Sequence, residues 1–581
     1  MKRIILYGAL TVLLAGSAAF LGLSPPSAMA KGGDGGGGGG GGGGNGLASL
    51  KSVPVPKPTN LATYVKNEAA AVKLGKALFW DMQAGGDGRQ SCASCHSAAG
   101  ADNRIRNTVN PHGVAPPWVA NALLTTANFP ITDSRVVGSA GVIQRAFVGL
   151  ADSGGADNSA DVTSPDRAFN PLNGPHFRRV TGRQAPSVVN SVYNFRFFWD
   201  GRARETFNGV NPGTPPDPDA RVLQVINGVP TKVKISIDNA SAASQAVGPP
   251  NNGTEMSWDG RNFLQLGKKM LRQVKMPLAE QMVASTDSVL GSSANTKGPG
   301  LNTTYAKMVE DAFQDVWWQS DRCVDEDKKE VNDRVNGTCP NSYTVKEANF
   351  SLFWGLAIQM YESTLIANDT PFDKGTLTVE QLRGLQVFTN EGRCVQCHKG
   401  AELTKASVRS VLSELPFNPA TGFFNTGMRP DAEDGGIQDA GIANRAMFKT
   451  PHLRNIELTG PYFHNGSAAT LRDVVDSYNR GNDHRSKFTD SQIRPLNLSE
   501  AQKSDLVHFL MGLTDERVRY EKAPFDHPSL LIHNGADEKT GVDIDTDLPA
   551  VGADGRVNAL PAFLNLTNVE QLKASPISRQ P

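Results

Sequence analysis

Two copies of the pentapeptide C-x-x-C-H constrain this chain more than anything else in it. They are Cys92-Ala93-Ser94-Cys95-His96 and Cys394-Val395-Gln396-Cys397-His398. Two thiols three residues apart on an incipient helix can add to both vinyl groups of one haem, and the next residue then sets an imidazole on the iron. A zinc site would also use two C-x-x-C pairs but needs no histidine directly after each. A thioredoxin-like redox pair requires a βαβ setting, which neither segment has. The spacing therefore points to two covalently attached haem c groups. Cys92, Cys95, Cys394 and Cys397 would hold them, with His96 and His398 as proximal iron ligands. The remaining cysteines, Cys323 and Cys339, bracket a polar segment. In an oxidising compartment they most simply form a disulfide that closes a surface loop.

The N-terminus carries a matching address. Met1-Lys2-Arg3 precedes the apolar run Ile4 to Leu23 and the A-x-A site Ala28-Met29-Ala30. These are the parts of a secretory signal, with cleavage expected after Ala30. An apolar run of about 20 residues can also span a bilayer, so an uncleaved anchor is the alternative. No second stretch approaches that length, so the mature chain is expected to have no membrane span and to work in the periplasm or as a secreted protein. Residues 31–52 form a Gly-rich linker. With 58 Lys+Arg against 58 Asp+Glu, no excess charge favours nucleic acid. A composition of 39% hydrophobic and 20% charged residues excludes a coiled coil and a polytopic membrane protein.

Apolar periodicity predicts helices over Glu68 to Trp80, over Val345 to Ile366 as one long amphipathic stretch, and from Leu498-Ser499-Glu500 to Leu513. Another should follow the capping box Thr378-Val379-Glu380-Gln381 and run through Phe388. Val222 to Ile226 and Thr231 to Ile237 read as a hairpin. Stretches 97–175, 206–245 and 290–343 are rich in Gly, Pro, Asn, Asp and Ser and read as loops. The expected fold is mainly α, with two cytochrome c-like domains, each binding a c-type haem, and long loop insertions. The boundaries expected are 53–370 for an N-terminal haem domain with insertions, 371–517 for a C-terminal haem domain, and 518–581 for a tail.

Several segments around the motifs resemble the bacterial dihaem cytochrome c peroxidases and their MauG-type relatives. Leu74-Gly75-Lys76-Ala77-Leu78-Phe79-Trp80-Asp81 is similar to the segment that leads to their first haem. Arg183 to Asn190, followed by Phe197-Phe198-Trp199-Asp200-Gly201-Arg202-Ala203, resembles their interhaem segment, and Gly248 to Met256 their distal loop. Phe448 to Asn455 and Thr459 to Ser467 resemble their C-terminal signature.

The resemblance implies roles residue by residue. Trp199 would relay electrons between the haems. Glu255 would move a proton between the two peroxide oxygens, with Pro249 crowding the same face and Glu280 as a weaker alternative. His176, 23 residues before Trp199, matches the spacing of a histidine that caps the first haem, and an ordinary surface histidine is the competing reading. Where the classical peroxidases place a methionine as sixth ligand of the second haem, this chain has Tyr478, as MauG-like enzymes do. A phenolate oxygen is a hard donor that favours higher iron oxidation states. A calcium ion is implied near Thr459 and Pro461, with Gln184 where the family has asparagine.

The leading expectation is an exported dihaem oxidoreductase reacting with hydrogen peroxide at the first haem. Its electrons would come from a small redox protein, a cytochrome c or cupredoxin, or from residues of a protein substrate. An O₂-using dihaem oxygenase of the rubber-oxygenase type is the second reading, and a pure electron-transfer cytochrome the third. The sequence leaves open whether the chain forms a homodimer.

Overall fold

Helix α1 (Glu68–Trp80) is capped by Asn67, whose side chain accepts a hydrogen bond from the Ala70 amide. It leads to the one-turn helix α2 (Ala93–His96) that carries the first motif. Further along lie α3 (Ser241–Ala246), α4 (Phe263–Leu271) and α5 (Phe350–Glu362). The second motif follows α6 (Val379–Thr389), which opens on the expected Thr378/Gln381 capping box. Helices α7 (Leu471–Arg480) and α8 (Glu500–Met511) open on equivalent boxes at Thr470/Asp473 and Ser499/Gln502. This computed structural model describes residues 46–112, 120–214, 216–272 and 274–575, so the expected signal segment and most of the linker lie outside the described residues. Among the described residues no helix is long and apolar enough to cross a membrane.

The two haem motifs share one structural device. At Gly75, on α1, an added Cβ would sit 1.9 Å from the carbonyl oxygen of Ala357 on α5. At Gly384, on α6, it would sit 1.9 Å from that of Asp505 on α8. Each helix that precedes a motif therefore meets its partner backbone against backbone, which only glycine permits. Around the first crossing grows the larger apolar core, including Leu74, Leu78, Phe353 and Trp354. Around the second grows a separate cluster that includes Val387, Phe388, Leu506 and Phe509.

Three expectations need correction. The stretch 345–366 is not one amphipathic helix. A short helix Val345–Ala348 precedes α5, and every residue of α5 is buried, because it packs among α1, α3 and α4. The hairpin pairs β1 (Val222–Ile226) with β2 (Val229–Val233), so its second strand starts and ends earlier than expected. The reason is the turn: Asn227 and Gly228 both take positive φ (52° and 78°), a two-residue connection that fixes the register Ile226↔Val229. Finally, among the described residues irregular segments outweigh helices, and strands form only two- and three-stranded ladders. The loop insertions also hold short elements of their own, α3 among them.

The tail, by contrast, is built into the body. Its hairpin pairs β3 (Leu530–Ala536) with β4 (Asp543–Leu548). The fully buried Lys76 on α1 bonds Asp526 of the tail at 3.2 Å and Asp287 at 2.8 Å. Arg104 donates to the His533 carbonyl at 3.0 Å. Farther on, Gln571 accepts from the Leu471 amide at the start of α7. The Cys323–Cys339 disulfide is formed.

The crossings generate a direct test. Gly384→Ala should lose about 1–3 kcal/mol of stability in urea denaturation, even though alanine is the better helix former. An unchanged midpoint would mean that α6 and α8 can separate without cost.

Candidate functional site

A single cavity of about 930 Å³ reaches both C-x-x-C-H motifs. The first motif turns into it because Ser91 and Ser94 bond locally at the start of α2. The His96 Nδ1–H donates to the Gly100 carbonyl at 2.9 Å, which leaves Nε2 as the lone-pair nitrogen. His398 makes the equivalent contact to the Leu403 carbonyl at 3.3 Å. Burial lowers both imidazoles, His398 to about 4, so both are neutral and free to ligate.

The four motif cysteines are unpaired. Burial raises all of their thiols, Cys95 and Cys397 to about 11. Protonated thiols in pairs, each beside a neutral histidine, suit thioether attachment and not a thiolate metal cage. Among the described residues no group of three or more His, Cys, Asp or Glu could hold a metal ion. The cavity also holds Lys449, whose ammonium burial lowers to about 8 and which no carboxylate pairs among the described residues. Haem propionates would supply the missing negative charge. The residues present thus fit haem c at both motifs.

Glu255 and Pro249 line the same cavity. The Asn252 side chain accepts from the Thr254 and Glu255 amides, at 2.8 and 3.2 Å, and shapes the loop. The Val142 amide pins it by donating to the Thr254 carbonyl at 3.1 Å. Desolvation raises the Glu255 carboxyl above the ordinary range, and the positive charge of Arg202 partly offsets this. Arg202 itself lies over the Phe198 ring at 3.7 Å.

Trp199 is buried, and its indole N–H donates to the Gln184 carbonyl at 2.9 Å. The preceding Phe198 takes left-handed backbone (φ 60°), a strained conformation for a bulky residue. Beside Trp199 lies His464, ring centroids 6.3 Å apart, and His464 stacks on Phe448 at 3.8 Å. Gln184, Thr459 and Pro461 line the cavity as well, and Gln184 Nε2 is buried without a partner among the described residues.

Tyr478, on α7, faces the cavity near Cys394 and Cys397, and burial raises its hydroxyl. Met428 comes close to the same helix, but its sulfur accepts from Ser477 at 3.5 Å and it does not line the cavity. The structure therefore brings the tyrosine and not that thioether to the second motif.

Two expectations fail here. His176 is exposed, with its backbone against Gly541 of the β3–β4 turn, and is not among the cavity-lining residues. Its spacing from Trp199 matches along the chain, but its loop runs over the surface. Glu280 is exposed, paired with Lys275 at 2.8 Å and likewise outside the lining. Sequence reasoning missed Glu362, a fully buried carboxyl in the cavity wall that burial pushes up to about 8 and that accepts from Ser191 at 3.3 Å. A lone acid in the apolar run of α5 was the available signal.

Residues 69–380, more than half of the chain, match the family described as di-haem cytochrome c peroxidase. The chain belongs to that family. The matched span holds the first motif, Trp199 and Glu255, whereas the second motif lies beyond it on the same cavity. Among curated family relatives, cytochrome c551 peroxidase of Nitrosomonas europaea is 35% identical over 183 residues, 30% of this chain and 47% of that protein. The methylamine utilization protein MauG of Methylorubrum extorquens is 29% identical over 166 residues, 28% of this chain and 43% of that protein. The chain spans about half the length of the curated relatives it matches. A crystal structure of a MauG-like protein associated with microbial copper homeostasis aligns with 81% of this chain and 96% of its own, at 20% identity and a TM-score of 0.45.

Covalent attachment can be checked by intact mass. The double variant Cys394→Ser/Cys397→Ser, matured in a cytochrome c-assembling host, should retain one covalent haem where the parent retains two. Two haems in the variant would refute attachment at the second motif.

Proposed function

We propose that this protein is an exported dihaem c-type cytochrome oxidoreductase that reduces hydrogen peroxide. The reaction would take place at the site of Cys92, Cys95 and His96, with electrons drawn through the site of Cys394, Cys397 and His398. The observation that carries this reading is Glu255. It is a desolvated acid, without a side-chain hydrogen bond among the described residues, facing the cavity that Trp199 and both motifs share.

Haem iron held by His96 and His398 supplies the electron storage and transfer that peroxide reduction requires. The protein's own part begins with Glu255, which takes the proton from one peroxide oxygen and delivers it to the other. A carboxyl whose pKa desolvation raises is suited to both halves of that task. Pro249 crowds the same face and limits what can enter. An O₂-using oxygenase would want an apolar pocket with no acid at this position. Trp199, fixed by its bond to Gln184, is the relay between the two sites, since a large polarisable indole is readily oxidised. Tyr478 would offer its oxygen to the iron of the second site, a hard donor that would lower its potential relative to a thioether.

Calcium is part of this reading. Gln184 would present its amide oxygen, and Thr459 and Pro461 their carbonyls, hard ligands of the kind calcium takes. That Gln184, Thr459 and Pro461 line one cavity supports it. A periplasmic or secreted location is supported by the formed disulfide, which persists in oxidising compartments. The electron source would be a small redox protein, a cytochrome c or cupredoxin, or a protein substrate oxidised at a distance.

Glu255 gives the test. As a base it acts when ionised, and its raised pKa means that kcat/KM for peroxide falls as pH drops through a value above the ordinary glutamate pKa of about 4.3. In stopped-flow measurements on the haem-loaded protein, Glu255→Gln should slow the reaction by about 10²–10⁴-fold and abolish that acid limb. An unchanged rate and limb would remove Glu255 from the mechanism.

A further inference from the structure

A second aromatic path leaves the first motif on the His96 side. The Phe79 ring lies 6.4 Å from the His96 imidazole and 5.5 Å from the Tyr361 ring, which it meets edge-on. The Tyr361 oxygen accepts a hydrogen bond from the Trp80 indole N–H at 3.1 Å. Trp80 in turn stacks on His527, with centroids 4.6 Å apart and planes 8° from parallel. Helix α1 supplies Phe79 and Trp80, α5 supplies Tyr361, and the tail supplies His527. All four are buried.

The charges around this column distinguish it from ordinary core packing. Lys76 stands between Asp287 and Asp526, and all three side chains are fully buried. One ammonium thus serves two carboxylates, and Asp287 Oδ2 has no hydrogen-bond partner among the described residues. Both carboxylates act on Tyr361 through space. A surplus of negative charge in a poorly screened interior favours positive charge on the adjacent rings. The Trp80 N–H already points at an acceptor oxygen, so an indole that loses an electron keeps its proton and strengthens that hydrogen bond. The phenol of Tyr361 would have to give up its proton, so the positive charge settles on Trp80.

We propose that Trp80 is a second redox-active residue, which gives one electron by way of Tyr361 and Phe79 to the oxidised first site when none arrives through Trp199. This rests on the peroxidase reading. Hydrogen peroxide is the oxidant: it takes two electrons and two protons to give two waters. Trp80 would provide one of those electrons and haem iron at the first site the other, with both protons drawn from solvent. The indole becomes a radical cation with its N–H intact, and no bond within the protein breaks. Such a route draws oxidising equivalents away from the peroxide site towards the buried tail and limits damage there when reductant is scarce.

The test uses holoprotein grown with ring-deuterated tryptophan. It is mixed with peroxide in the absence of reductant, frozen within milliseconds and examined by EPR, while peroxide consumption is followed in parallel. The expected result is an organic radical signal that narrows on tryptophan deuteration, is lost in Trp80→Phe and is diminished in Tyr361→Phe. The latter removes only a hydroxyl, so it decides the matter with the wild-type deuteration result if Trp80→Phe does not fold. Peroxide consumption with no deuterium-sensitive radical, or with the same radical in Trp80→Phe, overturns the role of Trp80 and leaves the peroxidase reading standing. Absence of peroxide consumption overturns both.

Discussion

Both haem motifs hang from helix pairs that touch backbone to backbone. The contacts at Gly75–Ala357 and Gly384–Asp505 are too close for any side chain, so each pair is held at one distance and one crossing. Everything that forms the cavity is placed relative to those crossings. The α1–α5 pair carries Phe79, Tyr361 and Glu362 and leads into the first C-x-x-C-H. The α6–α8 pair leads into the second, and α7, which bears Tyr478, packs against α8. A slip at either crossing would move a whole motif, because the cores grow outward from these contacts.

Within that frame a single physical effect sets the chemistry of the cavity. Desolvation keeps the motif thiols protonated, the histidines neutral, and Glu255 and Glu362 shifted towards their acid forms. Uncharged groups are the right partners for a covalent, iron-bearing cofactor and for a proton carrier that must both take and give. Arg183 binds Asp434 and Asp200 at 2.7 and 2.6 Å and also lies over Phe448, which stacks on His464 next to Trp199. This fixes the interhaem segment without placing a free charge beside the indole.

Residues inside short local motifs were legible in the sequence. The C-x-x-C-H pairs, the Thr378 capping box, Glu255 and Trp199 all lie where their neighbours along the chain dictate. For His176 the surface reading holds, because spacing along a loop says little about position in space. The tail was opaque for a related reason. Its partners are hundreds of residues away, Lys76 for Asp526 and Leu471 for Gln571, and no local pattern signals such contacts. α5 read as amphipathic because a helix buried on every side keeps some polar residues. Here these include Ser351, which donates to the Gly209 carbonyl, Gln359, which bonds α3, and Glu362, which faces the cavity.

The central claim is that the two sites act as one redox unit through the shared cavity. The direct measurement adds one equivalent of hydrogen peroxide to the fully oxidised holoprotein and follows both ferric EPR signals together with the optical spectrum. The account predicts that both signals fall at the same rate, and that in Trp199→Phe the signal of the second site lags behind the first. Loss of the first signal alone in the unaltered protein, or no change in either, would contradict it.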